Sequence, residues 1–255
     1  MEDIMKLDKL ICDRGIKRIY RDGDLAIKVF ENEFFTKADI LNEACNQAKV
    51  EDLKDLHIPR IREVGKIDGK WAIATEFVEG KTLQQLMDEN PDEMDRYLEE
   101  FVDLQIRVHS YSVPNLNSQK EKMNRKISQT QLDATTRYEL HTRLNALPSH
   151  NKVCHGDFNP SNIIVDKDGI PHILDWAHVT SGNASADVAR TYLLFCLAGK
   201  EDLANKYLNM FCEKTDTARQ YVEKWLPIVA ASQSVKGKPE EKEFLYKWVD
   251  VVDFE

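Results

Sequence analysis

Asp157, Asn162 and Asp175 stand in the stretch HGDFNPSNIIVDKDGIPHILDW, residues 155–176, where polar turn residues lead straight into short β-branched runs. Two carboxylates and an amide are hard oxygen donors, and a carboxylate within hydrogen-bond reach of a hydroxyl is also a general base. The same residues suit ordinary turns, because Gly, Asp, Asn and Pro each favour turns for local reasons. Asp168-Gly169, between IIV and HIL, helps to separate the two readings. Asp-Gly accepts the positive φ that a two-residue hairpin turn needs. With these two at the turn, Val165 faces His172, Ile164 faces Ile173 and Asn162 faces Asp175. Opposed side chains lie about 4.5–5.5 Å apart on one face. The open end of the hairpin then gathers an amide oxygen and a carboxylate, with Asp157 on the loop that feeds it. A Mg²⁺ ion, which seeks oxygen ligands at ~2.1 Å and keeps positions for phosphate, suits such a pair.

The elements around these residues change character along the chain. Residues 1–78 read as strand-rich, with short runs at Ile16 to Tyr20, Leu25 to Phe30, Ile61 to Lys66 and Trp71 to Val78. One helical stretch, 38–56, interrupts them. From Thr82 onward the pattern is helical: in MDRYLEEFVDLQIRVHSY, Leu98, Phe101, Val102, Gln105 and His109 recur at three and four. The expectation is an α+β chain, with a small antiparallel sheet and one helix over 1–78 and a larger, mainly helical part over 79–255. No repeat or flexible linker separates them.

Composition narrows the function. The net charge of −9, from 35 basic and 44 acidic residues, argues against a nucleic-acid partner. No apolar run approaches the ~20 residues of a membrane helix, and MEDIMKLDKL does not resemble a signal peptide, so a cytoplasmic location with no membrane partner is expected. The five cysteines form no C-x-x-C pair and read as reduced, mostly buried thiols. A monomer is the default.

H-G-D-x-x-x-x-N followed by a hairpin and L-D-W resembles the aminoglycoside phosphotransferase and choline kinase-like families, small-molecule relatives of the protein kinases. LAIKVF at 25–30 is similar to their lysine-bearing strand, and LNEACNQA at 41–48 to the helix carrying its glutamate partner. FVEGKTL at 77–83 resembles the interlobe segment, and ASADVAR at 184–190 the D-L-A segment after the metal aspartate.

The resemblance implies a two-lobed protein-kinase-like fold and transfer of the γ-phosphoryl group of ATP or GTP to a hydroxyl of an aminoglycoside-like or other small substrate. It makes Asp157 the base, Asn162 and Asp175 the Mg²⁺ ligands, and Lys28 the nucleotide lysine held by Glu43, with Glu51 as the fallback partner. Ile19 and Ala26 would flank the adenine, with Glu76, just before the interlobe segment, and Val78, within it, completing the nucleotide site. His155 would be structural. Asp187 would cap a helix or brace the catalytic loop. A choline, amino-alcohol or sugar kinase, or a nucleotide-binding pseudokinase with a regulatory role, are the alternatives.

The N-terminal loop departs from the family. Counting back from Ile19, the glycines of G-x-G-x-x-G fall on Cys12, Arg14 and Lys17. A second Asp-Gly, Asp22-Gly23, predicts a hairpin with Lys17 opposite Lys28. Lys17 then faces the triphosphate or, slipped by one residue, solvent. His109 and His178 read as core or cleft histidines, and Trp225 and Trp248 as core or as walls of an ammonium cage.

Overall fold

The computed structural model describes residues 5–31, 33–235 and 239–249. In chain order the strands and helices are β1 (Lys9–Asp13), β2 (Lys17–Asp22), β3 (Leu25–Phe30), α1 (Lys37–Ala48), β4 (Ile61–Ile67), β5 (Lys70–Glu76), β6 (Gly80–Thr82), α2 (Leu83–Glu89), α3 (Met94–His109) and α4 (Gln119–Ser128). They continue as α5 (Ala134–Ala146), β7 (Lys152–Cys154), β8 (Ile163–Asp166), β9 (Pro171–Ile173), β10 (Thr180–Gly182), α6 (Ala184–Leu197), α7 (Glu201–Thr215), α8 (Arg219–Glu223), α9 (Leu226–Ser234) and α10 (Pro239–Tyr246). This is the α+β, protein-kinase-like architecture of an antiparallel sheet with one helix followed by a helical part. The chain packs as two units, Met1–Pro91 with Pro160–His178, and Asp92–Asn159 with Val179–Glu255. These units differ from a single cut after residue 78 because β6 pairs with β8, Gly80 opposite Asp166 and Thr82 opposite Ile164, which ties the β8–β9 hairpin to the first unit. No helix among the described residues is long and apolar enough to cross a membrane.

In the first unit a five-stranded antiparallel sheet runs β1-β2-β3-β5-β4. The period of two in LAIKVF sends Ile27 and Val29 into one cluster with Ala72 and Ala74, and Phe30 into another with Ile40, Ala44 and Ile73. Lys28 is therefore on the face that α1 covers. Thr36 and Asp39 start α1 as a reciprocal capping box. The helix ends at Ala48, short of the predicted residue 56. Beyond it the chain tightens so that Val50, Leu56 and Ile58 turn into the core, while Gln47 and Glu51 bond the backbone at Pro59 and Ile61.

Both predicted hairpin registers are corrected. In β2–β3, Lys17 pairs with Phe30 and Ile19 with Lys28. Of the turn residues only Gly23 has positive φ, which suits the first central position of a turn made by Gly23 and Asp24 rather than Asp22 and Gly23. In β8–β9, Ile163 pairs with Ile173 and Ile164 with His172, so Asn162 faces Leu174, whose N–H donates to the Asn162 carbonyl at 2.8 Å. The loop is three residues long, Lys167 to Gly169, with Gly169 left-handed. The Asp166 carboxylate fixes it by accepting from the backbone N–H of Asp168 and Ile170, both at 2.9 Å.

Gly80 is where β6 touches β8. A Cβ there would lie 2.2 Å from the Val165 carbonyl oxygen and 2.8 Å from Ile164 Cγ2. Backbone cannot swing aside as a side chain does, so Gly80→Ala is expected to cost about 1–3 kcal/mol in urea denaturation. An unchanged midpoint would disprove this close approach.

In the second unit the three-four repeat of α3 buries Leu98, Phe101, Val102, Gln105 and His109. Phe101 packs on Phe158, Phe195 and Tyr207, with ring centroids 4.7, 5.9 and 5.7 Å away. β7 pairs with β10, Cys154 opposite Thr180, and delivers the chain to His155. Of the cysteines only Cys154 and Cys196 are buried, Cys12 and Cys212 are half-buried and Cys45 is exposed, so the thiols are less buried than the sequence suggests.

Candidate active site

The first unit gathers four charged side chains. Lys28 Nζ donates to Glu43 Oε1 at 2.8 Å and to Asp175 Oδ1 at 3.2 Å, and Lys17 Nζ donates to Glu43 Oε2 at 3.1 Å. Glu43 reaches them because it shares a buried helix face with Ile40 and Ala44. Glu51 is not the partner, since its carboxylate accepts the Ile61 N–H. Asp175 follows β9 with a left-handed φ of 60°, a backbone state that Asp tolerates better than most residues. The next residues pack on α1, where Asn46 Nδ2 donates to the Ala177 carbonyl at 3.0 Å. Burial disfavours charge on Lys28, yet Asp175 and Glu43 outweigh it and hold the ammonium above its ordinary value. Burial likewise opposes ionised Asp175, but Lys28, Lys17 and His178 keep it well below the usual carboxylate range. Both groups are charged at neutral pH.

Ile19, Ala26 and Lys28 share one face of the sheet, Ile19 directly opposite Lys28. The Glu76 carboxylate is engaged elsewhere, accepting from the Arg60 N–H at 3.1 Å and from the Arg62 guanidinium. A cleft of about 1130 Å³ in this unit has Leu25, Ile58, Glu76, Val78 and His172 on its wall, whereas Lys28, Glu43 and Asp175 do not line it.

In the second unit the loop 155–158 lies along α6, which grips it through one face. Asp187 accepts from the backbone N–H of His155 at 3.1 Å and of Gly156 at 2.7 Å. Arg190 donates to the Gly156 carbonyl at 3.3 Å and to Asp157 Oδ1 at 3.1 Å. Thr191 donates to the Phe158 carbonyl at 2.8 Å. Spacings of three and four put these side chains on one stripe of the helix. Behind them His109 Nε2 lies 2.9 Å from Asp187 Oδ2, and Tyr207 donates to Gln105, which donates to Thr191. Burial opposes the Asp187 charge, but hydrogen bonding from His109, the electrostatic influence of the two histidines and the Gly156 amide bring it below its ordinary value. Burial lowers Arg190 against the pull of Asp157 and Asp187. Its Nη1 has no acceptor among the described residues.

A sequence profile of the phosphotransferase enzyme family matches residues 14–222. The chain belongs to this family. The phosphotransferase has the fold of aminoglycoside phosphotransferase APH(4)-Ia (14% identity, TM-score 0.69, 98% of this chain and 92% of that one). It is similar as well to choline kinase LicA from Streptococcus pneumoniae (14%, TM-score 0.63, 94% and 92%) and to a variant of aminoglycoside 2'-phosphotransferase-IIIa in complex with GDP (14%, TM-score 0.61, 97% and 92%). No curated protein sequence matches it.

The phosphotransferase brings Lys28, Glu43 and Asp175 into contact, and places Asn162, 6% exposed, at the backbone partner of Leu174 beside Asp175. An ionised carboxylate and an amide oxygen fit a hard divalent cation whose remaining positions go to phosphate and water. No cluster of three His, Cys, Asp or Glu able to hold a metal occurs among the described residues, so such an ion would depend on those added oxygens. Sequence reasoning missed Arg190 and Thr191. Their spacing from Asp187 was the available signal.

Proposed function

We propose that this phosphotransferase moves the γ-phosphoryl group of ATP or GTP to a hydroxyl of a small aminoglycoside-like or otherwise hydroxylated molecule. The observation that carries the reading is the convergence of Glu43 and Asp175 on Lys28, residues far apart in sequence, at 2.8 and 3.2 Å. Lys28 binds the α/β-phosphates, Glu43 fixes its direction, and Ile19, Ala26 and the backbone at Glu76 and Val78 receive the base. Asn162 and Asp175 would hold Mg²⁺, which would supply positive charge to offset that of the phosphates. Asp157 accepts the hydrogen bond of the substrate hydroxyl and orients the nucleophile for in-line attack.

Solved structures of APH(4)-Ia include a ternary complex with ADP and hygromycin B, and LicA has been solved with AMP. A second reading, an amino-alcohol kinase, is favoured by the cluster of Trp248 with Tyr192 and Phe244, centroids 5.8 and 6.5 Å away, since aromatic faces attract quaternary ammonium groups. Trp225 is fully buried and reads as core. The test is incubation with Mg²⁺, ATP or GTP, and a panel of aminoglycosides, amino alcohols and sugars, detecting product by mass. A phosphorylated aminoglycoside or sugar supports the first reading and a phosphorylated amino alcohol the second. Nucleotide binding without product across the panel would overturn both in favour of a regulatory pseudokinase.

A further inference from the structure

In a glycine-rich nucleotide loop, backbone amides point at phosphate because nothing else occupies them. The β1–β2 turn is built differently. The Arg14 N–H donates to the Lys17 carbonyl at 3.0 Å, the Gly15 N–H to Asp13 Oδ1 at 2.8 Å, and the Ile16 N–H to the Arg14 carbonyl at 2.9 Å. These amides are consumed within the turn. The Asp13 carboxylate closing it is ion-paired with Arg18 at 3.1 Å.

Positive charge is supplied nearby by side chains. Lys17 lies on the same sheet face as Lys28, because Lys17 pairs with Phe30 and Phe30 is two residues from Lys28. Its ammonium shares the Glu43 carboxylate with Lys28 and sits 5.0 Å from the ring centroids of both Phe30 and Phe35. Aromatic faces hold a cation in place without neutralising it. The Lys17 side chain is 23% exposed, so it is open to a ligand. Lys28 pairs with Asp175 as well as with Glu43, whereas Lys17 shares only Glu43 among these carboxylates, so Lys17 is the less compensated of the two ammonium groups, and a triphosphate brings several negative oxygens.

We propose that Lys17 is a second phosphate-binding lysine of the nucleotide site, providing the anion contact that the closed β1–β2 turn does not. This rests on the nucleotide-dependent reading above and adds to it the residue that replaces the glycine loop.

Calorimetric titration with ATP, ADP and AMP in Mg²⁺ tests it. Lys17→Met is expected to weaken ATP and ADP about tenfold, the scale of one charge-assisted hydrogen bond, and AMP less than about twofold. Equal affinities in wild type and variant, or an equal loss for AMP, would overturn the proposal. Wild-type protein that binds no nucleotide would instead overturn the nucleotide reading and this proposal with it. Amine labelling of the wild-type chain, read by mass spectrometry, avoids dependence on the variant's folding. ATP should protect Lys17 and AMP should not, and labelling indifferent to ATP would also sink the assignment.

Discussion

Asp157→Asn is expected to lower turnover by about 10²–10⁴-fold, the usual contribution of a general base, while leaving nucleotide affinity within about threefold. Asparagine keeps the shape and an oxygen for the 3.1 Å bond from Arg190, so the loop should stay in place while the proton acceptor is lost. Asp157 is ion-paired with Arg190, whereas Lys28 is paired with Glu43 and Asp175, and this division predicts the split between rate and affinity. Turnover on the acceptor that the panel identifies, measured with nucleotide affinity by calorimetry, checks both halves. Turnover within a few fold of wild type would remove Asp157 from the role of base. A parallel loss of nucleotide affinity would place it in binding instead.

The two hairpins show how much of the site was legible from sequence. The Asp22-Gly23 register slips by two residues, and a slip of two preserves the face of every side chain. Lys17, Ile19, Ala26 and Lys28 therefore keep the common face expected of them although their partners change. The Asp168-Gly169 register slips by one, which would normally turn side chains over. Here the left-handed backbone at Asp175 turns the chain again after Leu174, and the carboxylate meets Lys28. Neither the Asp166 cap that lengthens the loop nor the φ at Asp175 follows from hydrophobic pattern. Strand β1 was hidden for a related reason: it is an edge strand with Leu10 and Ile11 exposed, so it lacks a buried alternating face. Arg190 was hidden because a lone arginine on a helix reads as solvated. Only the stripe Asp187, Arg190 and Thr191 could have marked the helix as a support for the catalytic loop.

That stripe makes Asp187 the position where loss of one side chain should cost the fold most. The carboxylate is 1% exposed and takes two backbone N–H groups from the loop as well as His109 Nε2. His109 Nδ1 has no acceptor among the described residues, which puts the donated proton on Nε2. Asp187→Ala leaves these buried donors without a partner, and Arg190 loses one of its neighbouring anions, keeping Asp157 and Glu241. Breaking buried charged networks of this kind costs about 3–5 kcal/mol. The pH dependence gives an independent check. Because the folded-state pKa of Asp187 is depressed, its contribution is complete above the unfolded-state carboxylate value near ~4 and is lost as pH falls through the lower folded-state value. The gap in denaturation free energy between wild type and Asp187→Ala should therefore be full at pH 7 and shrink as the medium is acidified below about pH 4. A gap that stays constant into acid, or a neutral-pH cost below about 1 kcal/mol, would mean that the loop is held by Thr191 and the Phe101–Phe158 packing rather than by the buried carboxylate.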